Sequence, residues 1–314
     1  MRRLTSVLLL ATGSAATILA CGSRTGLLSD EVVVADATPD RREAGRDGDA
    51  DADVISEDVL PPIDVQKDVP KPPPLGCTDA GSTQIYLITS QNTLLAFYPP
   101  TSNFTTVGPI NCPGANGQTP FSMGVERTGI AYSVFTDGRL FRLSTANASC
   151  QATPFITNQQ GYSTFGMGYS GDQVSEQLYV SDNAGGKGLA TIDTNNFKLS
   201  FVGAFQPSLP QRCEMTGTSN DELFAYCINT QGSGGVVAQI NRHTAQVVGA
   251  TAVKVGTNSD AFAFAYWGGD FYMFNSPGGA TTVTRFDPVT KAETVVATHP
   301  STIVGAGVST CAPN

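Results

Sequence analysis

The sequence predicts an all-β fold, a five-bladed β-propeller of four-stranded antiparallel blades, and three observations carry that expectation. First, 33 Gly and 19 Pro with only 14% charged residues among 314 disfavour helical bundles. Second, residues 261–297 read as four short strands. Phe262, Phe264 and Tyr266 alternate with Ala263 and Ala265, Gly268 and Gly269 supply a tight hairpin, and 271–274 make a second strand. A Gly/Pro turn at 276–279, a β-branched run at 281–286, an Asp287-Pro288 turn and a closing strand at 294–296 complete the unit. Third, the unit recurs. Its third strand and turn appear as LLAFYPPT (94–101), RLFRLSTA (139–146), LATIDTNN (189–196), VAQINRHT (237–244) and VTRFDPVT (283–290). The markers Phe97, Leu143, Ile192, Ile240 and Phe286 are 46, 49, 48 and 46 residues apart, the period of a four-stranded propeller blade.

At the N-terminus, Arg2 and Arg3 precede the apolar run VLLLATGSAATILA, the layout of a secretion signal over residues 1–20. At 14 residues the run is too short to span a bilayer comfortably. Residues 18–21, ILAC, resemble the lipobox of bacterial lipoproteins. The resemblance implies cleavage before Cys21, a lipid on that cysteine and a membrane partner. Because Gly22 is not the aspartate that retains lipoproteins in the inner membrane, it also implies the outer membrane. An ordinary cleaved signal with an incidental cysteine is the other reading.

Residues 21–76 read as a disordered linker. By count, 30–76 hold 13 acids and 5 bases with almost no aromatics and a proline-rich end, too little apolar surface to fold. A coil from 22 to 76 would reach roughly 40 Å. Asp47, Asp49, Asp51 and Asp53 alternate like calcium-loop acids, but Ala52 stands where such a loop needs glycine and Asp58 where it needs glutamate, so no metal is expected there. Of the net charge of −9, only −4 falls on 77–314, where there is no basic stripe. Nucleic acid is therefore not an expected partner.

Residues 77–314 are expected to form the propeller. First-strand copies FSMGV (121), FGMGY (165), CEMTG (213), FAFAY (262) and VGAGV (304) alternate large with small, as crowding at the axis demands. The fifth copy lies near the C-terminus, whereas the first unit starts directly at the second strand, IYLI (85), so the ring should close by pairing the two. LYVSDN (178–183) followed by IDTNN resembles NHL-type and YVTN-type propellers, and the resemblance, over about 85 to 310, implies that fold.

Six cysteines remain beside Cys21, and an exported chain can oxidise them. Cys213 and Cys227 are symmetric about Asn220, so a hairpin sets them face to face. Cys77 and Cys311 should meet at the ring closure. The remaining pair, Cys112 and Cys150, falls near opposite ends of adjacent fourth strands in this register. Either one of them is free or the loop takes another path. There is no CxxC and there are only two histidines, so neither a metal nor a cofactor is expected.

His243 and His299 read as solvated turn residues, and no Ser-His-Asp set is visible. Inter-blade loops and the loops joining second to third strands share one face of a propeller. Three of the latter, 182–187, 229–235 and 276–280, are glycine-rich. On that face Tyr162, Asp182, Arg212, Glu214 and Asp260 are the candidate ligand-binding residues, with Arg212 and Glu214 orienting the ligand and Tyr162 as an apolar platform. The expected function is a monomeric cell-envelope binding module for a protein or glycan, with catalysis the less favoured reading. A carbohydrate-active hydrolase or lyase using axial carboxylates, and a structural envelope protein with no concave polar site, are the alternatives.

Overall fold

The structure, a computed structural model, describes residues 60–63, 65, 74–77, 84–183, 186–210, 212–228, 234–257 and 259–314. The signal at 1–20, Cys21, the acids at 47–53, most of the linker and residues 229–233 of one glycine-rich loop lie outside the described residues.

Hydrophobic strands separated by Gly, Asn and Asp turns fold into five four-stranded antiparallel sheets. The first blade contains β1 (Ile85–Thr89), β2 (Thr93–Tyr98) and β3 (Asn103–Pro109). The second is β4 (Pro120–Val125), β5 (Ile130–Phe135), β6 (Leu140–Ser144) and β7 (Cys150–Ala152). The third is β8 (Phe165–Gly171), β9 (Glu176–Asp182), β10 (Leu189–Asp193) and β11 (Lys198–Gly203). The fourth is β12 (Arg212–Gly217), β13 (Leu223–Ile228), β14 (Gly235–Ile240) and β15 (Val247–Val253). The fifth is β16 (Ala261–Trp267), β17 (Asp270–Ser276), β18 (Thr281–Phe286) and β19 (Glu293–His299). The last strand, β20 (Ile303–Gly307), returns to the first blade and pairs antiparallel with β1, Leu87 opposite Ala306. The ring therefore closes by the permutation read from the sequence.

The five repeat markers occupy one structural position. Phe97, Leu143, Ile192, Ile240 and Phe286 are all buried, opposite Ile85, Ala131, Leu178, Leu223 and Phe271 on the neighbouring strands. The inner strands pack so closely that side chains beyond Cα are excluded at several points. A Cβ on Gly166 would lie 2.0 Å from the Cys213 carbonyl oxygen, and one on Gly168 would lie 2.5 Å from that of Met215. Hydroxyls from neighbouring blades serve the backbone N–H groups that the inner edges leave open. Met167 N–H donates to Ser122 Oγ at 3.1 Å and Tyr266 N–H to Thr216 Oγ1 at 3.1 Å.

Three disulfides join Cys77–Cys311, Cys112–Cys150 and Cys213–Cys227. The second overturns the expectation that this pair lies too far apart, since the Cα atoms are 4.9 Å from each other. The chain after β3 does not run straight on. Ile110 N–H turns back to the Asn92 carbonyl, and the Arg139 guanidinium holds the carbonyls of Gly114 and Ala115. Cys112 thereby enters the same apolar cluster as Ile110, Leu143, Ala148 and Cys150. His299, expected beyond its blade's last strand, instead ends β19 and lies 4.7 Å from the Phe104 ring.

One stretch inside the span read as linker joins the folded body. Ile63 and Val65 are 5% and 7% exposed and share a core cluster with Tyr226, Val237 and Val253. The Pro61 carbonyl accepts the Ala250 N–H of β15 at 3.0 Å, and Gly249 leaves room for the crossing backbone. Proline-fixed extended backbone with apolar residues at alternate positions suits an open strand edge. The linker's mean composition conceals this short apolar run.

The far face, opposite the inter-blade loops, is closed by the C-terminal segment. Arg127 is buried, donates from Nε to Thr310 Oγ1 at 2.8 Å, and lies 3.8 Å from Glu176 Oε2. The Thr310 hydroxyl donates to that carboxylate at 2.8 Å. Gly268 N–H donates to the Pro313 carbonyl at 2.7 Å, and Asn314 Nδ2 donates to Ser219 Oγ at 3.3 Å. With Cys311 bonded to Cys77, the segment from 309 on is tied to all five blades. Among the described residues no helix is long and apolar enough to cross a membrane.

Candidate axial binding site

On the opposite face the axis opens into a pit of about 150 Å3 to which every blade contributes. Ser90 and Val304 come from the first blade, and Thr119, Phe121 and Thr136 from the second. Asn183 comes from the third, Arg212 and Glu214 from the fourth, and Asp260 and Phe262 from the fifth. Repeat geometry explains the convergence. Ser90, Thr136 and Asn183 each stand five residues past the second-strand partner of the blade marker, just where the chain emerges on this face. Phe121, Phe262 and Val304 are equivalent first-strand residues.

Glu214 is the unusual member. Its equivalents in the other blades are Ser122, Gly166, Ala263 and Gly305, and this smallness leaves room on the axis for one longer side chain. The carboxyl is 2% exposed and its Oε2 accepts the Ser122 hydroxyl at 2.6 Å. Burial pushes its pKa well above the usual carboxylate range, against the opposing pull of the Ser122 hydroxyl, the Met167 N–H and the Arg212 charge. Glu214 thus tends toward the neutral acid, able to donate as well as accept.

Arg212 follows Glu214's side of β12 by strand alternation. Its guanidinium lies 5.3 Å over the Phe262 ring and reaches the Asp260 carbonyl at 3.5 Å. The exposed Asp260 carboxylate accepts Gly278 N–H at 3.0 Å, which fixes the glycine-rich turn at 276–280. Asn183 Oδ1 is buried with no hydrogen-bond partner among the described residues.

The other two candidates lie elsewhere. Tyr162 is not a platform at the mouth. It is 1% exposed, fills the gap between the second and third blades beside Phe155 and Phe165, and its hydroxyl donates to the Gly188 carbonyl at 3.3 Å. Burial, and then the nearby Asp182 charge, raise its pKa far above the ordinary tyrosine value. A large aromatic in an inter-blade loop wedges into the seam between sheets because that buries more of its surface than the mouth would. Asp182, 1% exposed, accepts the Lys187 N–H at 3.1 Å and borders a separate cavity of about 250 Å3 with Gly188, Phe205 and Leu209.

Sequence reasoning passed over Ser90, Thr136 and Asn183, although the repeat register already placed them together. It also passed over Ser122, whose signal is its small polar side chain at the position of Glu214. Among the described residues there is no group of His, Cys, Asp or Glu that could hold a metal ion.

No protein-family model matches the chain, and no curated protein matches it. Among solved structures, a chain of a nidogen/laminin complex is similar over 71% of this chain and 97% of its own, at 9% identity and a TM-score of 0.50. The Dos1 propeller is similar over 73% of this chain and 56% of its own, at 11% identity and a TM-score of 0.37. BamB from Moraxella catarrhalis is similar over 73% and 64%, at 14% identity and a TM-score of 0.27. This chain therefore spans between about half and two thirds of the length of the last two. At 9% identity the likeness to the nidogen/laminin chain bears on the fold alone, and the five sheets of this chain make that fold a five-bladed β-propeller.

Proposed function

We propose that the protein is an exported binding module held at the cell envelope, whose axial pit takes a protein or glycan ligand. The observation that carries this reading is the pit itself: a concave mouth with polar groups from five blades, on the face of the inter-blade loops, with the far end closed. A purely structural envelope protein would have no use for Arg212, Glu214 and Asp260 gathered around one cavity. Three disulfides suit an oxidising compartment. The lipobox-like ILAC supports a lipid on Cys21 and, with Gly22, a place at the outer membrane for a monomeric domain.

Arrays of envelope glycans and peptides, probed with the full chain, test the reading. Arg212→Ala and Asp260→Ala should each weaken the hit at least several-fold with the melting temperature little changed. Unchanged affinity in both, with losses instead at Trp267 or Asp221, which lie at the first-to-second-strand turns of the opposite face, overturns it. Fractionation tests the anchor: Cys21→Ser should move the protein to the soluble fraction, and membrane partitioning with undiminished fatty-acid labelling would refute lipidation.

A second reading has one observation in its favour. Glu214, pushed toward its protonated form, and the exposed Asp260 carboxylate line the same pit, as an acid and base pair of a glycoside hydrolase would. Turnover of aryl glycosides that disappears in both Glu214→Gln and Asp260→Asn would establish it.

A further inference from the structure

We propose that the axial pit accepts one polyhydroxylated ring end-on, the terminal unit of a glycan, rather than a polymer running across the propeller or a carboxylate-bearing chain end. This rests on the binding reading above and narrows it to one chemistry.

The pit is blind. Glu214, buried and bonded to Ser122, lines it, and on the far face the segment from 309 on ties Arg127 and Glu176 through Thr310 and reaches Gly268 and Ser219. A through-running chain has no exit, so the occupant is a free small molecule or the end of a larger one. The volume, about 150 Å3, lies below the ~300 Å3 at which pockets begin to enclose drug-sized ligands, which leaves space for one ring.

The polar groups decide what kind of ring. Among the described residues Asn183 Oδ1 is a buried acceptor without a partner, and such a group costs stability until a donor reaches it. The Asp260 carboxylate is a second acceptor. Arg212 presents donors that the 3.5 Å contact to the Asp260 carbonyl uses only in part, and the Ser90 and Thr136 hydroxyls work either way. An occupant must therefore donate on one side and accept on another within a few ångströms. A hydroxyl does both, and a ring carrying several meets this rim at several points. A carboxylate would suit Arg212, but it would face the Asn183 oxygen with no proton to give and be repelled by Asp260. Phe121 and Val304 supply an apolar wall for the C–H face of a ring. Burial raises the Glu214 pKa well above the usual carboxylate range, which disfavours a negative charge at the inner end of the pit.

Saturation-transfer NMR and calorimetry on the full chain test this with two probe sets. One holds the methyl α- and β-pyranosides of glucose, galactose, mannose and N-acetylglucosamine. The other holds acetate, propionate and an alanyl-alanine dipeptide. At least one pyranoside is expected to bind, with affinity falling roughly ten-fold or more in Asn183→Leu, which keeps size and removes the acceptor. Ser90→Ala gives a second reading should Asn183→Leu not fold. A linear oligosaccharide ending in the preferred unit should bind no worse than the monosaccharide, whereas a cyclic one built of the same unit should not bind. Binding of the carboxylates alone, lost in Arg212→Ala, would overturn the polyol assignment and leave the axial site standing. Equal binding of the cyclic oligosaccharide would overturn the end-on geometry. If neither set binds and the array hits are indifferent to Arg212→Ala and Asp260→Ala, both proposals fall together.

Discussion

Ser122 Oγ donates to Glu214 Oε2 across 2.6 Å, joining the second blade to the fourth over the axis of the ring, between residues 92 positions apart in the chain. The bond exists because all the equivalent positions are small, and it leaves a single carboxyl enclosed where five inner strands meet.

That enclosure makes the fold sensitive to pH. Glu214 keeps its proton in the folded state at pH values where the unfolded chain has released it. Stability therefore falls as pH rises from the ordinary carboxylate range through the folded value, and is unaffected by this group below that range. Glu214→Gln, which can still accept the Ser122 hydroxyl, should melt with the wild type on the acid side and increasingly above it toward neutral pH. Thermal melts of both proteins across that window check this, and parallel curves would show that Glu214 is not the group responsible.

The disulfides should rank by the loops they close. Sequence separations of 234, 38 and 14 for Cys77–Cys311, Cys112–Cys150 and Cys213–Cys227 correspond to about 5, 4 and 3 kcal/mol in the chain-entropy model. Double Cys→Ala variants, unfolded in urea, should lose stability in that order. The Cys77–Cys311 variant should lose more than its estimate, because the segment that carries Cys311 also covers the far end of the axis.

Two glycines of equivalent appearance should respond differently to alanine. A Cβ on Gly166 meets backbone, 2.0 Å from the Cys213 oxygen and 2.8 Å from Glu214 Cα, whereas one on Gly124 meets first the Leu178 side chain at 3.1 Å. Gly166→Ala forces two blades apart and is expected to cost about 3 kcal/mol or more, while Gly124→Ala, where a side chain can shift, should cost about 1 kcal/mol. Denaturant midpoints at constant slope separate the two cases.

The docked stretch at 60–65 can be dislodged without touching it. A Cβ on Gly249 would lie 3.2 Å from Ile63 Cα and from the Pro61 carbonyl oxygen. Gly249→Val should release the stretch, make 60–65 readily cleaved in limited proteolysis, and lower stability by about 1 to 3 kcal/mol through exposure of Ile63 and Val65. Unaltered protection of these residues would show that the crossing backbone does not depend on that glycine.

What could be read from the sequence was local or repeated. Alternation in FAFAY, turns such as Asp287-Pro288 and a marker every 46 to 49 residues are short-range signals, and they fix strands, blade number and the closing role of β20. Arg212, Glu214 and Asp260 were placed together because each sits at or before the start of an inner strand, a position that geometry repeats around an axis. Tyr162 was misplaced because an aromatic in a loop turns toward whichever gap is large enough, and the width of the seam between two sheets is not written in either. The path of the chain from 110 to 119 depended on Arg139, more than twenty residues on, so the Cys112–Cys150 bond lay beyond spacing arguments. Ile63 and Val65 were lost in an average over a linker rich in acids and proline.

The attachment of 60–65 to the flank of the fourth blade bears on how the domain carries mechanical load. Among the described residues, a pull arriving from the N-terminal side first meets the hydrogen bond at Ala250 and the apolar side chains of Leu60, Ile63 and Val65 in their clusters, a contact able to yield and re-form. Behind it, after a hydrogen bond from Leu75 N–H to the Gln173 carbonyl, comes a covalent fastening: Cys77 is joined to Cys311, so tension reaching the first blade arrives at both ends of the ring at once and does not peel β20 from β1. The chain thus has a compliant catch in series with a rigid one, and a tug strong enough to strip the strap leaves the ring shut.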